Sequence, residues 1–250
     1  MIISSDFGKR QKIERLKNKK GFYSFLALDH QLSLGRIPEI DSYQEWTKFS
    51  NGVDISGIVL NKGALREILQ NYKKSLILQT IGGPSKESTS SKVLIATIEE
   101  AIKLDAACVS IQINFEESDY LRQIELCVLQ IEKANFWGMP VLCMINLSNP
   151  TSFCTELFVK YIKFCSELGV DFIKIALPSD INKNDHEIKR YISLCPPLLF
   201  AGGDKKETIL DEIRLSKDVG FCGFCIGRNI FKSQNPKETV NQINQIFVNE

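Results

Sequence analysis

Short apolar runs alternate along this chain with longer stretches whose apolar residues recur every third or fourth position. The runs at 22–28, 55–61, 75–80, 107–113, 140–145, 170–176, 197–201 and 221–226 predict eight strands. Helical spacing at 42–50, 63–71, 91–104, 118–137, 151–168, 184–194 and 206–219 predicts helices between them, and 236–248 predicts one to close the series. Near-continuous apolar strands separated by amphipathic helices are the pattern of repeated βαβ units around a parallel sheet. The phrases "KLDAACVSI", "SELGVDFIKI" and "KDVGFCGFCI" repeat one theme, a helix end, then Gly or Asp, then a buried strand. An open dinucleotide-binding sheet needs a glycine-rich turn after its first strand. Here that strand runs into Asp29-His30-Gln31-Leu32-Ser33 with no such turn. The fold expected is therefore α/β, a (β/α)8 TIM barrel.

Length agrees, because 250 residues is the size of one such barrel. No linker or low-complexity tract divides the chain, so residues 1–250 are read as one domain. Residues 1–20 are polar and basic and are expected to cross the barrel floor as a short helix or to make an oligomer contact. A net charge of +1 supplies no field for a polynucleotide, so nucleic acid is excluded as a partner. The N-terminus has no apolar signal core, and no run is long enough for a membrane helix, so a cytoplasmic protein is expected. Eight scattered cysteines in a chain this large read as buried, reduced thiols. Cys222 and Cys225 lie on opposite faces of one strand, and only two histidines are present, so no metal site is expected.

Active sites of this fold sit at the C-terminal ends of the strands. In "VDFIKIALPSD", alternation puts Ile173, Ile175 and Leu177 on one face and Phe172, Lys174 and Ala176 on the other. The aliphatic face belongs against helices, so Lys174 points into the barrel. Desolvation favours a neutral amine there, and a neutral amine attacks carbonyls. The alternative is a lysine that reaches the rim or pairs with a carboxylate. Asp29 shares parity with Tyr23, Phe25 and Ala27 and is a candidate general base, or else a loop cap. His30 is read as a hydrogen-bonding group beside it, and Ser33 as a further contact. Gly202-Gly203 and "GRN", with Gly227, Arg228 and Asn229, follow the last two strands. Glycine backbone and one arginine at that place are expected to form the phosphate cradle usual in this fold, the alternative being plain turns. Lys62 after the second strand, the polar inner face Ser110, Gln112 and Asn114, and Asn146 with Ser148 after the fifth strand complete the candidates.

Taken together, "ALDHQLSLG", "CVSIQIN", "GMPVLCMIN", "VDFIKIALPSD", "LLFAGGDK" and "GFCGFCIGRNIF" resemble the archaeal-type class I fructose-bisphosphate aldolases. They resemble still more the aminodideoxyheptulosonate synthases and the autoinducer phosphate thiolase. The likeness runs in order from about residue 22 to the C-terminus. It implies an imine on Lys174, proton transfer by Asp29, and phosphate held by Gly202, Gly203, Gly227 and Arg228. It also implies a small phosphorylated keto substrate and an aldehyde, no metal or other cofactor, and a homo-oligomer of barrels. Two departures stand out. Where the aldolases carry a proton-donating tyrosine in a phrase like "MMYPRG", this chain has "MINLSN", with Asn146 in its place. "IALPSD" replaces a T-x-Y-x-G-D pattern after the sixth strand. Three functions remain open on this reading: an imine-forming aldolase or synthase, a coenzyme A-dependent thiolase on a phosphorylated diketone, and a barrel that has lost catalysis.

Overall fold

The structure is a computed structural model and describes residues 4–68, 72–84, 92–204 and 206–248. A first helix, α1 (Ser4–Arg15), leads into strand β1 (Tyr23–Ala27). Then follow α2 (Gln31–Leu34), α3 (Tyr43–Asn51), β2 (Gly57–Leu60), β3 (Ser75–Gln79), and a small hairpin of β4 (Ile81–Gly82) and β5 (Val93–Leu94). After α4 (Ile98–Lys103) the alternation is regular: β6 (Cys108–Ile113), α5 (Tyr120–Phe136), β7 (Val141–Ile145), α6 (Thr155–Glu167), β8 (Phe172–Ile175), α7 (His186–Ser193) and β9 (Leu198–Phe200). The chain ends with α8 (Ile209–Val219), β10 (Gly223–Ile226), the single turn α9 (Arg228–Phe231) and α10 (Pro236–Val248). Strands β1, β2, β3, β6, β7, β8, β9 and β10 pair in parallel and close into a barrel. All eight expected strands are therefore present, and the TIM barrel is observed.

Strand parity sorts the apolar residues into two cores. Ile173, Ile175 and their outward counterparts pack beneath the helices. Inside the barrel lie Tyr23, Phe25, Ala27, Val59, Leu142 and Phe172, among others. Phe172 meets Tyr23 edge-on at 4.8 Å and Phe25 at 6.3 Å, so aromatic rings fill the lower barrel. Leu16, just after α1, is fully buried against this interior cluster. Lys9 reaches Asp171 at 2.8 Å and Lys12 donates to the Gly138 carbonyl at 3.1 Å, both just before strands. These contacts lay α1 across the N-terminal end of the barrel.

Two expected helices differ. The stretch 63–71 is instead a 3-10 segment over Lys62–Glu67, and 69–71 lie outside the described residues. Asn61 precedes it but its side chain makes no cap; its Nδ2 donates to the Asp29 carbonyl at 3.0 Å. The stretch 91–104 becomes helical only at Ile98; Ser91 is outside the described residues. Thr97 and Glu100 form a reciprocal capping box, which sets the start. The Val93–Leu94 pair before it joins Ile81–Gly82 as an antiparallel ladder. Val93 and Ile95 are β-branched, and a short stretch with such residues and a neighbouring strand to pair with takes a ladder in preference to a helix.

Candidate active site

The upper inner positions of the barrel carry amides and acids in place of rings. On β6, Ser110, Gln112 and the following Asn114 all face inward and are buried. Ser110 donates to the side chain of Gln79 on β3 at 2.7 Å. Asp29 stands just above β1, 6% exposed. Gln112 donates to Asp29 Oδ2 at 3.3 Å and accepts from Asn146 Nδ2 at 3.3 Å. Asn146 is held in turn by its backbone, whose N–H donates to the Ile113 carbonyl at 2.9 Å. An amide chain thus runs from β7 through β6 to β1. Its polarity directs donors at Asp29, which suits an ionised carboxylate.

Lys174 is on β8 in register with Met144 of β7, and its Nζ lies 3.9 Å from the Met144 sulfur. It is partly buried and its charge is felt on two neighbours. Burial pushes the Cys225 thiol up to about 11, against the pull of Lys174. Burial also pushes the His30 imidazole down to about 4; Asp29 opposes this, and Lys174 and Arg228 reinforce it. His30 is therefore neutral at pH 7. Its Nδ1 is 3.8 Å from Asp29 Oδ1, too far for a hydrogen bond, and with the ring neutral the two form no ion pair. The ring lies edge-on to Phe231 at 5.6 Å.

The loops after β9 and β10 are tied together. Asn229 donates to the carbonyls of Gly202 and Asp204, each at 3.0 Å, and accepts from the Lys206 N–H at 2.8 Å. Arg228 pairs with Asp204. Gly203 turns with φ of 62°, a left-handed conformation, and the space its side chain would take is open. Gly227 is glycine for a different reason: a side chain there would strike the His30 ring and the Ala27 carbonyl. It lets the loop after β10 close onto β1. Asp29, His30, Lys174 and Arg228 consequently share one electrostatic neighbourhood at the C-terminal mouth.

Other expected contacts stand apart or are already engaged. Lys62 is half-exposed and paired with Glu100 of α4 at 2.9 Å. Ser33 lies on α2, its backbone N–H bonded to the His30 carbonyl. Ser148 is exposed; its hydroxyl accepts from Asn114 at 2.7 Å and donates to Glu117 at 2.8 Å. Lys92 was not anticipated. It is 3% exposed and donates to the carbonyls of Gly83 and Pro84, each at 3.3 Å. Burial lowers its pKa, while Glu117, Asp119 and Asp29 raise it. Lying on the first turn of an expected helix, it had no signal of burial; only the hairpin places it inside. Asn229, seen in sequence as part of a phosphate motif, proves to be the clamp between two loops.

A family model described as DeoC/LacD family aldolase matches residues 23–233. The chain is 24% identical over 247 residues to 2-amino-3,7-dideoxy-D-threo-hept-6-ulosonate synthase 1 of Archaeoglobus fulgidus, covering 96% of this chain and 90% of that protein. It is 24% identical over 249 residues to 3-hydroxy-5-phosphonooxypentane-2,4-dione thiolase of Klebsiella pneumoniae, covering 97% and 82%. In fold it is similar to an archaeal fructose-1,6-bisphosphate aldolase whose catalytic lysine is covalently bound to the carbinolamine intermediate of the substrate. That superposition has a TM-score of 0.80 at 19% identity, over 96% of this chain and 100% of the other.

Proposed function

The chain belongs to the DeoC/LacD family of aldolases, and from that premise we propose that Lys174 forms an imine with the ketone of a small phosphorylated keto compound. The single observation that carries this reading is that Lys174 on β8 and the buried Asp29 after β1 stand at one end of the barrel, the end that also carries the joined glycine loops after β9 and β10. The Lys174 amine adds to the ketone to give a carbinolamine, and loss of water gives the iminium. That cation is an electron sink. In cleavage, the pair of the adjacent C–C bond moves into it, leaving an enamine and releasing an aldehyde; synthesis is the reverse. Asp29, kept as an acceptor by Gln112, takes the proton of the reacting hydroxyl. Gly202, Gly203, Gly227 and Arg228 hold the phosphate and orient the ketone. Asp204 pairs with Arg228 in the resting site, and a phosphate dianion displaces that largely exposed carboxylate.

At position 146 no acid is available. Asn146 spends its N–H on Gln112, so its carbonyl is left to accept from a substrate hydroxyl or a water. The same feature supports a second reading, acyl transfer to coenzyme A from a phosphorylated diketone, which needs no phenol there. We further place the protein in the cytoplasm as a homo-oligomer. Borohydride treatment with dihydroxyacetone phosphate, followed by peptide mass spectrometry, is expected to trap an adduct on Lys174. An adduct on Lys92 or another lysine overturns the assignment to Lys174, and no adduct with any of a panel of keto phosphates overturns the imine. Coenzyme A-dependent loss of diketone phosphate with no aldol activity selects the second reading.

A further inference from the structure

Fourteen large apolar side chains stand exposed among the described residues, and nine of them fall between Val93 and Trp137. That segment comprises β5, α4, β6 and α5, and both β5 and α4 pack against α5. Phe136 is 78% exposed, Leu121 62%, Leu129 57% and Trp137 49%. Single exposed apolar residues need no explanation, but a concentration along one side of a barrel marks a contact surface. The helix is otherwise ordinary: Cys127, Ile131 and Ala134 bury its other face.

Positions 121, 125, 129, 133 and 137 form one ridge at four-residue spacing. They read Leu, Glu, Leu, Lys, Trp, and all five are exposed. The order has a consequence for self-pairing. When two such ridges run antiparallel and cross at residue 129, Leu129 meets its own copy. Glu125 then faces Lys133 of the other copy, while Leu121 and Trp137, turned about 40° further at each four-residue step, lie at the two edges of the contact. The ridge is its own complement, which is what an isologous two-fold interface requires. Charge supports the same occupant. Helix α5 carries Arg122 and Lys133 against Glu125 and Glu132, so it offers no net field to steer an acidic or basic foreign partner.

We infer that α5 is a self-association face, on which a second copy of this chain packs antiparallel about a two-fold axis at Leu129. This gives the homo-oligomer named above its surface and rests on that part of the functional reading. It is independent of the imine. The apolar ends exclude water, and the two symmetry-related Glu125–Lys133 pairs fix direction and register. Each helix of 17 residues is about 25 Å long, enough to serve as the centre of a standard interface of about 800 Å² per partner.

Light scattering on the purified full chain tests this. The native protein at micromolar concentration is expected at twice the chain mass or a larger even multiple. Leu129→Glu puts two like charges on the axis and is expected to halve the mass while circular dichroism and thermal unfolding stay native. Glu125→Lys alone and Lys133→Glu alone are each expected to weaken association at least roughly tenfold. Combining them restores it to within a few-fold of native, because the opposed charges are merely exchanged. A native chain that stays monomeric sinks both the homo-oligomer and this face. An assembly that survives Leu129→Glu, or a double variant no better than its singles, sinks the face alone.

Discussion

At the N-terminal end of the barrel, β1 and β8 contribute Tyr23, Phe25 and Phe172 to a cluster of edge-on and tilted rings sealed by Leu16. At the C-terminal end, the same two strands deliver Asp29 and Lys174 to a bowl of amides. The floor is held by apolar contact that has no direction, and the mouth by hydrogen bonds that have one. Below, shape and volume matter more than identity. Above, the identity of each polar group sets which hydrogen bonds can form. On the proposed function, the difference means that the two ends answer to different perturbations: floor variants are expected to act on stability and mouth variants on chemistry.

The sharpest way to break this division is Lys174→Met. Borohydride trapping and turnover are expected to fall by about a thousand-fold or more, with thermal stability near native. A large drop in stability with trapping retained elsewhere would falsify the division itself. Phe172→Ala, two residues earlier on the same strand, is expected to lose about 3–5 kcal/mol in urea unfolding. Trapping per folded molecule should hold near the native level.

His30 lies between the two behaviours. Its pKa falls from 6.5 to about 4 in the folded protein because it is buried. The unfolded chain therefore takes a proton at a pH where the folded one does not. Stability from this group is complete above about pH 6.5 and is lost as pH falls toward 4, by on the order of 3 kcal/mol. Urea unfolding between pH 7 and 4 should show that slope, and His30→Gln should flatten it. The smallest effect is expected at Asp204→Asn, which frees Arg228. Inorganic phosphate should bind a few-fold more tightly by calorimetry, and a weakening instead would place Asp204 on the side of the ligand.

Much of this molecule was legible before any coordinates. A strand's side chains alternate by covalent geometry, so the apolar runs alone placed Phe172 and Lys174 on the inner face and Ile173 on the outer. The motifs likewise led to the aldolase family, which residues 23–233 match. Only the closed barrel decided the rest. Asp29 and Gln112 are 83 positions apart, and no local pattern says that one bonds the other or that Asn146 bonds Gln112. Lys92 sat on a stretch with helical spacing until a hairpin buried it, and Lys62, promising by position, was drawn to Glu100. Periodicity reports which way a side chain points, because that is fixed by its own backbone. What it meets there depends on strands brought together from distant parts of the chain, and that is a property of the fold.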